Sequence, residues 1–201
     1  MPVLVLASAS PARLATLRSA GISPLVQVTH VDEDAVLAAA RPLAPAEAVL
    51  TLARAKAEHA AAHPVVHGDL VLGCDSMLEL DGEVLGKPRD AAEARGRWRA
   101  MRGRSGVLHT GHWLVRGARA VGATASTRVH FADLSDAEID AYVATGEPLA
   151  VAGAFTIDGL GGPFVTGVEG DHHAVVGLSL PLVRELLAEL GIAITALWDR
   201  P

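Results

Sequence analysis

Apolar positions along the chain alternate between short continuous runs and helical stripes. Val3–Ala7 is a continuous apolar run, which predicts a short, fully buried first strand. Ser10 is a natural N-cap and Pro11 suits the first helical position, so a helix is expected through Leu14, Leu17 and Arg18, stopping at Gly21. A second strand near Leu25–Val28 leads into the acidic cluster Asp32-Glu33-Asp34. Pro45 opens an Ala-rich helix to about Ala62, ended by Pro64. Next, two apolar segments flank Asp81-Gly82, a strong hairpin signal because both central positions of the tight turn need positive φ. A helix over Asp90–Met101 places Ala91, Ala94 and Trp98 roughly on one side. Strand-like segments follow at Val107–Arg116 and Ala118–Phe131, and Ser135 with Glu138 forms a capping box opening a helix to about Thr145. The last third is glycine-rich from Gly153 to Gly177, with strand-like Val151–Ile157 and Phe164–Val168, and closes on a helix over Leu180–Leu190 ended by Gly191. This mixture predicts an α/β or α+β chain with a mixed sheet.

At 201 residues the chain can bury one domain or two lobes sharing a cleft. Half of it is apolar but only 3% aromatic, so Ala, Val and Leu are expected to fill the core. A net charge of −6 argues against broad binding of a nucleic-acid polymer, which needs a cationic face, and leaves room for a local basic pocket. The single cysteine, Cys74, excludes an internal disulfide and suits a reducing compartment. The first apolar run lacks a basic leader and is too short for a signal core, and no run reaches the eighteen or so residues of a membrane span. The expectation is a cytoplasmic protein without a membrane partner.

The candidate chemistry begins at Ser8-Ala9-Ser10-Pro11-Ala12-Arg13. A helix start following a strand offers unpaired N–H groups to an anion, and Arg13, in a first turn that disfavours cations, makes more sense if an anion such as phosphate also sits there. The plainer reading is a cap and a surface charge. Lys56 falls on the apolar stripe of Val49 and Leu52; it either snorkels past the core edge or aims at phosphate oxygens from a polar cleft. Asp75 interrupts a buried strand, which is costly unless the carboxylate is paired or metal-bound. Beside Glu33 it could hold a divalent cation, or it could deprotonate water; a structural ion pair is the competing reading. Lys87, on the return side of the hairpin, would bring a base toward the same region as Asp75. His59 and His63 lie four apart but have no evident third ligand, His109 and His112 point to opposite faces of a strand, and His172-His173 read as a solvated loop. Cys74 reads as a small buried thiol, and Gly159-Leu-Gly-Gly162 is weak as a dinucleotide motif.

Taken together, Leu6-Ala-Ser-Ala-Ser-Pro-Ala-Arg13, Val31-Asp-Glu33, Ala53-Arg-Ala-Lys-Ala57, Gly73-Cys-Asp-Ser76, Asp81-Gly-Glu-Val-Leu-Gly-Lys-Pro88, Gly103-Arg104, Thr110-Gly111, Gly146-Glu-Pro148, Ala152-Gly-Ala-Phe155 and Val175-Val-Gly-Leu178 resemble, in that order, the Maf-type nucleoside triphosphate pyrophosphatases. The likeness covers nearly the whole chain. It implies a single Maf-like domain over 1–201, similar in fold to inosine-triphosphate pyrophosphatases: an elongated, two-lobed α/β protein with a mixed sheet and central cleft, possibly a homodimer. It implies hydrolysis of a nucleoside triphosphate to monophosphate and pyrophosphate with Mg²⁺ or Mn²⁺, the work of a hydrolase acting on acid anhydrides. By the same match Asp75 is the catalytic proton acceptor, Ser8, Ser10, Arg13, Lys56 and Lys87 bind phosphate, and Glu33 joins Asp75 at the metal. Departures bear on base choice: Ala12-Arg13 where many members have Arg-Arg, Ser76 for a threonine, Asp158 for a glutamine frequent in dTTP- and UTP-preferring members, and Leu149-Ala150 for an Asp-Lys pair. The expected substrate is a pyrimidine or modified, for example methylated, nucleotide. The rival expectations are a non-catalytic regulator of septum formation or division, and an inosine/xanthosine triphosphatase.

Overall fold

Residues 2–40, 42–65 and 67–199 are described by the structure, a computed structural model. Strand β1 (Leu4–Ala7) is buried along its whole length and feeds helix α1 (Pro11–Ser19), capped by Ser10. After β2 (Leu25–Val26), α2 (Glu33–Ala39) starts on the N-cap Asp32, whose carboxylate accepts from the Ala35 amide at 3.0 Å. Helix α3 (Pro45–Ala62) precedes β3 (Leu70–Leu80) and β4 (Glu83–Leu85). There follow α4 (Ala91–Met101), β5 (Ser105–Arg116), β6 (Arg119–Phe131), α5 (Asp136–Ala144), β7 (Val165–Glu169), α6 (His172–Val176) and α7 (Leu180–Glu189). The seven strands form one mixed sheet in the order β2-β1-β3-β5-β6-β7, with β4 on β3. Strand β1 runs parallel to both β2 and β3, while β3–β4 and β6–β7 are antiparallel.

The chain divides into two compact units, residues 1–75, 110–125 and 177–201 in the first and 76–109 and 126–176 in the second. In the first, Leu70, Leu72 and Cys74 of β3 pack with Leu4 and Leu6 of β1, Leu17 of α1, and Val183, Leu186 and Leu187 of α7. The alternate residues of β3, Gly73 and Asp75, turn toward α3. Two glycines let α3 settle unusually close. A Cβ on Gly73 would overlap the Ala53 carbonyl oxygen and come within 2.8 Å of the Ala57 nitrogen; one on Gly111 would overlap the Val49 carbonyl and lie 2.7 Å from the Leu50 nitrogen.

Aliphatic side chains fill this first core as expected; the second is also mostly aliphatic but is built around a cluster of aromatics. Trp98 is fully buried there, with Phe131, Tyr142 and Phe164 edge-on at centroid distances of 5.7, 5.6 and 6.0 Å, and its indole N–H donates to the Ala154 carbonyl at 2.8 Å. So few aromatics suffice because five of them, with Phe155 edge-on to Phe131, share one cluster.

Several sequence expectations need correction. Val151–Ile157 is no strand: Gly153 and Ala154 have φ of 71° and 60°, so the chain winds through short 3-10 turns at Glu147–Ala150 and Ala152–Ala154. Extended pairing is impossible with two successive left-handed residues. The acidic cluster at Asp32 is a helix start. Strand β2 is only Leu25–Val26, and Lys87 lies in a bend two residues beyond β4 rather than on it. His172 and His173 open α6, exposed. The Asp81-Gly82 hairpin forms as expected, with φ of 55° and 82° and Leu80 facing Glu83. Among the described residues no helix is long and apolar enough to cross a membrane.

Glu147 pins the irregular segment of the second unit. Its carboxylate accepts from Tyr142 Oη at 3.0 Å, Thr156 Oγ1 at 2.5 Å and the amides of Leu160 and Gly161 at 3.0 and 3.1 Å. Hydrogen bonds to a charged acceptor are worth more than neutral ones, so Glu147→Gln is expected to lower unfolding stability by about 1–3 kcal/mol in urea titration. An unchanged midpoint would show that water replaces these bonds without loss.

Candidate active site

Because β1 and β3 are parallel, with Ala7 beside Gly73, the carboxyl end of β1 delivers Ser8 and α1 to the same edge as Cys74 and Asp75. That is where open α/β sheets place ligand sites. The turn from β1 into α1 is built by its own side chains. The Ser10 amide donates to Ser8 Oγ at 3.2 Å, and the Arg13 amide donates to Ser10 Oγ at 3.4 Å. Arg13 is not a surface charge. It is 9% exposed, and its Nη1 donates to Ser8 Oγ at 3.0 Å and the Cys74 carbonyl at 2.9 Å, while Nε donates to the Gly177 carbonyl at 2.8 Å. These three acceptors fix the guanidinium in place.

On the α3 side of β3, Lys56 meets Asp75 and, at 2.8 Å, Glu33. The ammonium therefore sits between two carboxylates and is neither snorkelling nor solvated. Side-chain exposure rises from 10% at Asp75 and 12% at Lys56 to 49% at Glu33, so the group runs from the interior to the solvent. Burial pushes the Asp75 carboxyl above its ordinary value, against the opposing pull of Lys56 and Arg13. A carboxyl so placed is a better proton acceptor than a free aspartate yet has two cations holding it ionised. Cys74 is fully buried and its thiol is pushed up to about 11, chiefly by that burial, which leaves it inert as a nucleophile.

Ser8, Ser10, Arg13, Glu33, Lys56 and Asp75 thus come together within the first unit, and Ala12 lies half-buried in the first turn of α1. Ser76, Lys87 and Asp158 belong to the second unit, Ser76 half-buried and the other two exposed. Two participants escaped sequence reasoning. The Gly177 carbonyl that orients Arg13 carries no side-chain signal at all. The glycine at 73, which brings Lys56 within reach of Asp75, stands in a strand where glycine marks close backbone approach, and that signal was available. Glu33 and Asp75 both contact the Lys56 ammonium, and among the described residues no group of three or more His, Cys, Asp or Glu side chains is placed to hold a metal ion.

Comparison with known proteins shows the family. The family model described as Maf-like protein matches residues 3–190. The chain is 61% identical over 197 residues to a protein of Streptomyces coelicolor named nucleoside triphosphate pyrophosphatase, covering 97% of this chain and 94% of that one. Proteins of the same name from Salinispora tropica and Leifsonia xyli are 59% and 56% identical, with 98% of this chain covered and 88% and 97% of theirs. A buried Arg13 in the first turn of α1 and the Glu33–Lys56–Asp75 group accordingly stand in a chain that belongs to the Maf-like protein family.

Proposed function

We propose that this protein hydrolyses nucleoside triphosphates between the α and β phosphates, releasing a monophosphate and pyrophosphate, with pyrimidine or modified bases preferred. The observation that carries the reading is Lys56 held between the buried Asp75 and the exposed Glu33, on the strand edge where Arg13 is fixed. The shared name of the similar proteins supports the same activity. In this reading Ser8, Ser10 and Arg13 receive phosphate oxygens at the start of α1, where amides and a fixed guanidinium already favour an anion. Lys56 and Lys87 add charge to the polyphosphate. Asp75 accepts the proton of the attacking water, helped by burial that raises its basicity. Attack at phosphorus is mainly a matter of positioning and charge stabilisation, which these groups supply. Ala12, Ser76 and Asp158 are assigned to base choice.

The donor set fits Mg²⁺ or Mn²⁺, since such ions take one or two carboxylates and leave their other positions to water and phosphate. Glu33 and Asp75 would hold the ion. When bound, it would neutralise phosphate charge and lower the pKa of water.

The test is a panel of canonical, methylated and deaminated nucleotides, with pyrophosphate and orthophosphate assayed separately. Pyrophosphate from a pyrimidine or modified nucleotide, lost on chelation by EDTA and restored by Mg²⁺ or Mn²⁺, is the expected result. Orthophosphate alone would overturn cleavage between α and β, and no turnover of any nucleotide would overturn the enzyme reading.

A further inference from the structure

The second unit carries an arrangement that nucleotide hydrolysis leaves unused. Its sheet turns Leu78, Leu80, Leu108, Val129 and Phe131 into the aromatic core. Strand alternation therefore sends Glu79, His109 and Ser126 to the other face. There they form a continuous chain across three neighbouring strands. Ser126 Oγ lies 2.8 Å from His109 Nδ1, and His109 Nε2 lies 2.9 Å from Glu79 Oε2. The carboxylate can only accept, so it takes the Nε2 proton and fixes the tautomer that leaves Nδ1 free to accept from the serine hydroxyl. The imidazole is buried at 7% exposure, so neighbours rather than solvent hold its orientation, whereas Ser126 is exposed.

From this geometry we infer that Ser126 is an activated nucleophile that takes an acyl or phosphonyl group from activated donors, with His109 as its base and Glu79 orienting the histidine. A nucleophile within hydrogen-bond reach of a base, itself oriented by a third group, is the signature of nucleophilic activation. The step balances simply. Ser126 Oγ attacks the electrophilic carbon or phosphorus, the Oγ–H proton passes to His109 Nδ1, the bond to the donor's leaving group breaks, and His109 then gives the proton to the departing anion or to water. With a fluorophosphonate the O–P bond forms as P–F breaks and hydrogen fluoride leaves, with no oxidant or further reactant required.

The same unit holds a built-in comparison. Ser105 Oγ lies 2.7 Å from His130 Nδ1, and His130 Nε2 lies 3.1 Å from Glu169 Oε1. There the imidazole is 33% and the carboxylate 69% exposed, so water competes for both contacts, and the serine is half-buried. Order along the chain of contacts is the same; shielding and access are reversed. Reactivity is therefore assigned to Ser126 and not to Ser105.

The full-length protein is incubated with a fluorophosphonate probe, and adducts are followed by intact mass and located by tandem mass spectrometry. A single adduct on Ser126 is expected, absent in Ser126→Ala and in urea-denatured protein. His109→Asn should slow labelling by about 100-fold or more, the usual worth of a positioned base. Glu79→Gln, at a half-buried position, should slow it less and shift its pH dependence while leaving the melting temperature unchanged, which separates activation from folding. No adduct on Ser126 would overturn the inference. So would equal labelling of Ser105, or the same labelling rate in a folded His109→Asn protein as in the wild type.

Discussion

Asp75→Asn is expected to lower turnover of nucleoside triphosphates by about 10³-fold, within the usual range for loss of a positioned general base, while the protein remains folded. The amide keeps the shape and one acceptor but cannot take a proton from water. The wild-type pH profile should carry the same signature. Burial raises the Asp75 carboxyl above its ordinary value of 3.8, so kcat/KM should fall on the acid side with a midpoint above that value. Stability has the opposite sign. A carboxyl whose folded pKa exceeds its unfolded one binds its proton more tightly when folded, so its contribution weakens as pH rises between the two values. At neutral pH the neutral asparagine escapes the cost of a buried charge but leaves Lys56 with Glu33 alone, so the two effects oppose and the melting temperature should stay close to that of wild type. Full activity in Asp75→Asn would remove Asp75 as the base. A melting temperature several degrees lower, with activity lost, would mean instead that the carboxylate chiefly anchors Lys56 and α3.

Gly73→Ala should act on the same site without touching its chemistry. The added methyl meets the backbone of α3, which cannot swing aside as a side-chain tip would, so the helix must move. Overpacking of this kind costs about 1–3 kcal/mol. The same displacement carries Lys56 away from Asp75, and misplacement by about 1 Å can cost about 10²-fold in rate. Gly111→Ala supplies the control: it collides with α3 at Val49 and Leu50, two turns from Lys56. Both variants should lose stability by chemical denaturation, and Gly73→Ala should lose far more kcat/KM. Equal loss of activity in the two would show that general loosening of α3, rather than the Lys56–Asp75 contact, governs the rate.

Much of this was legible in the chain because local rules carried it. Ser10-Pro11, Ser135 with Glu138, and Asp81-Gly82 each satisfy backbone groups or turn angles within a few residues, and each element formed where those residues placed it. The charged residues of the first unit were legible as anomalies: a lysine on an apolar stripe and an aspartate in a buried strand both proved to be paired. Reading failed where the cause was distant in sequence. The run from Val151 to Ile157 has the composition of a strand, but the Trp98 indole claims the Ala154 carbonyl, and Gly153 lies where a Cβ would come within 2.8 Å of Leu78. His109 looked unpromising because its partners, Glu79 and Ser126, stand on other strands.

Arg13 has a consequence for how the protein comes to exist as a working molecule. Its guanidinium joins a carbonyl 61 residues ahead and another 164 residues ahead. Contacts so remote in sequence form late, because long loops must close first. During synthesis the Ser8–Arg13 turn leaves the ribosome well before the Gly177 carbonyl that orients its arginine, 164 residues later. A chain interrupted after Lys87 and before Gly177 would carry every charged side chain proposed for catalysis and still lack one of the bonds that aim Arg13.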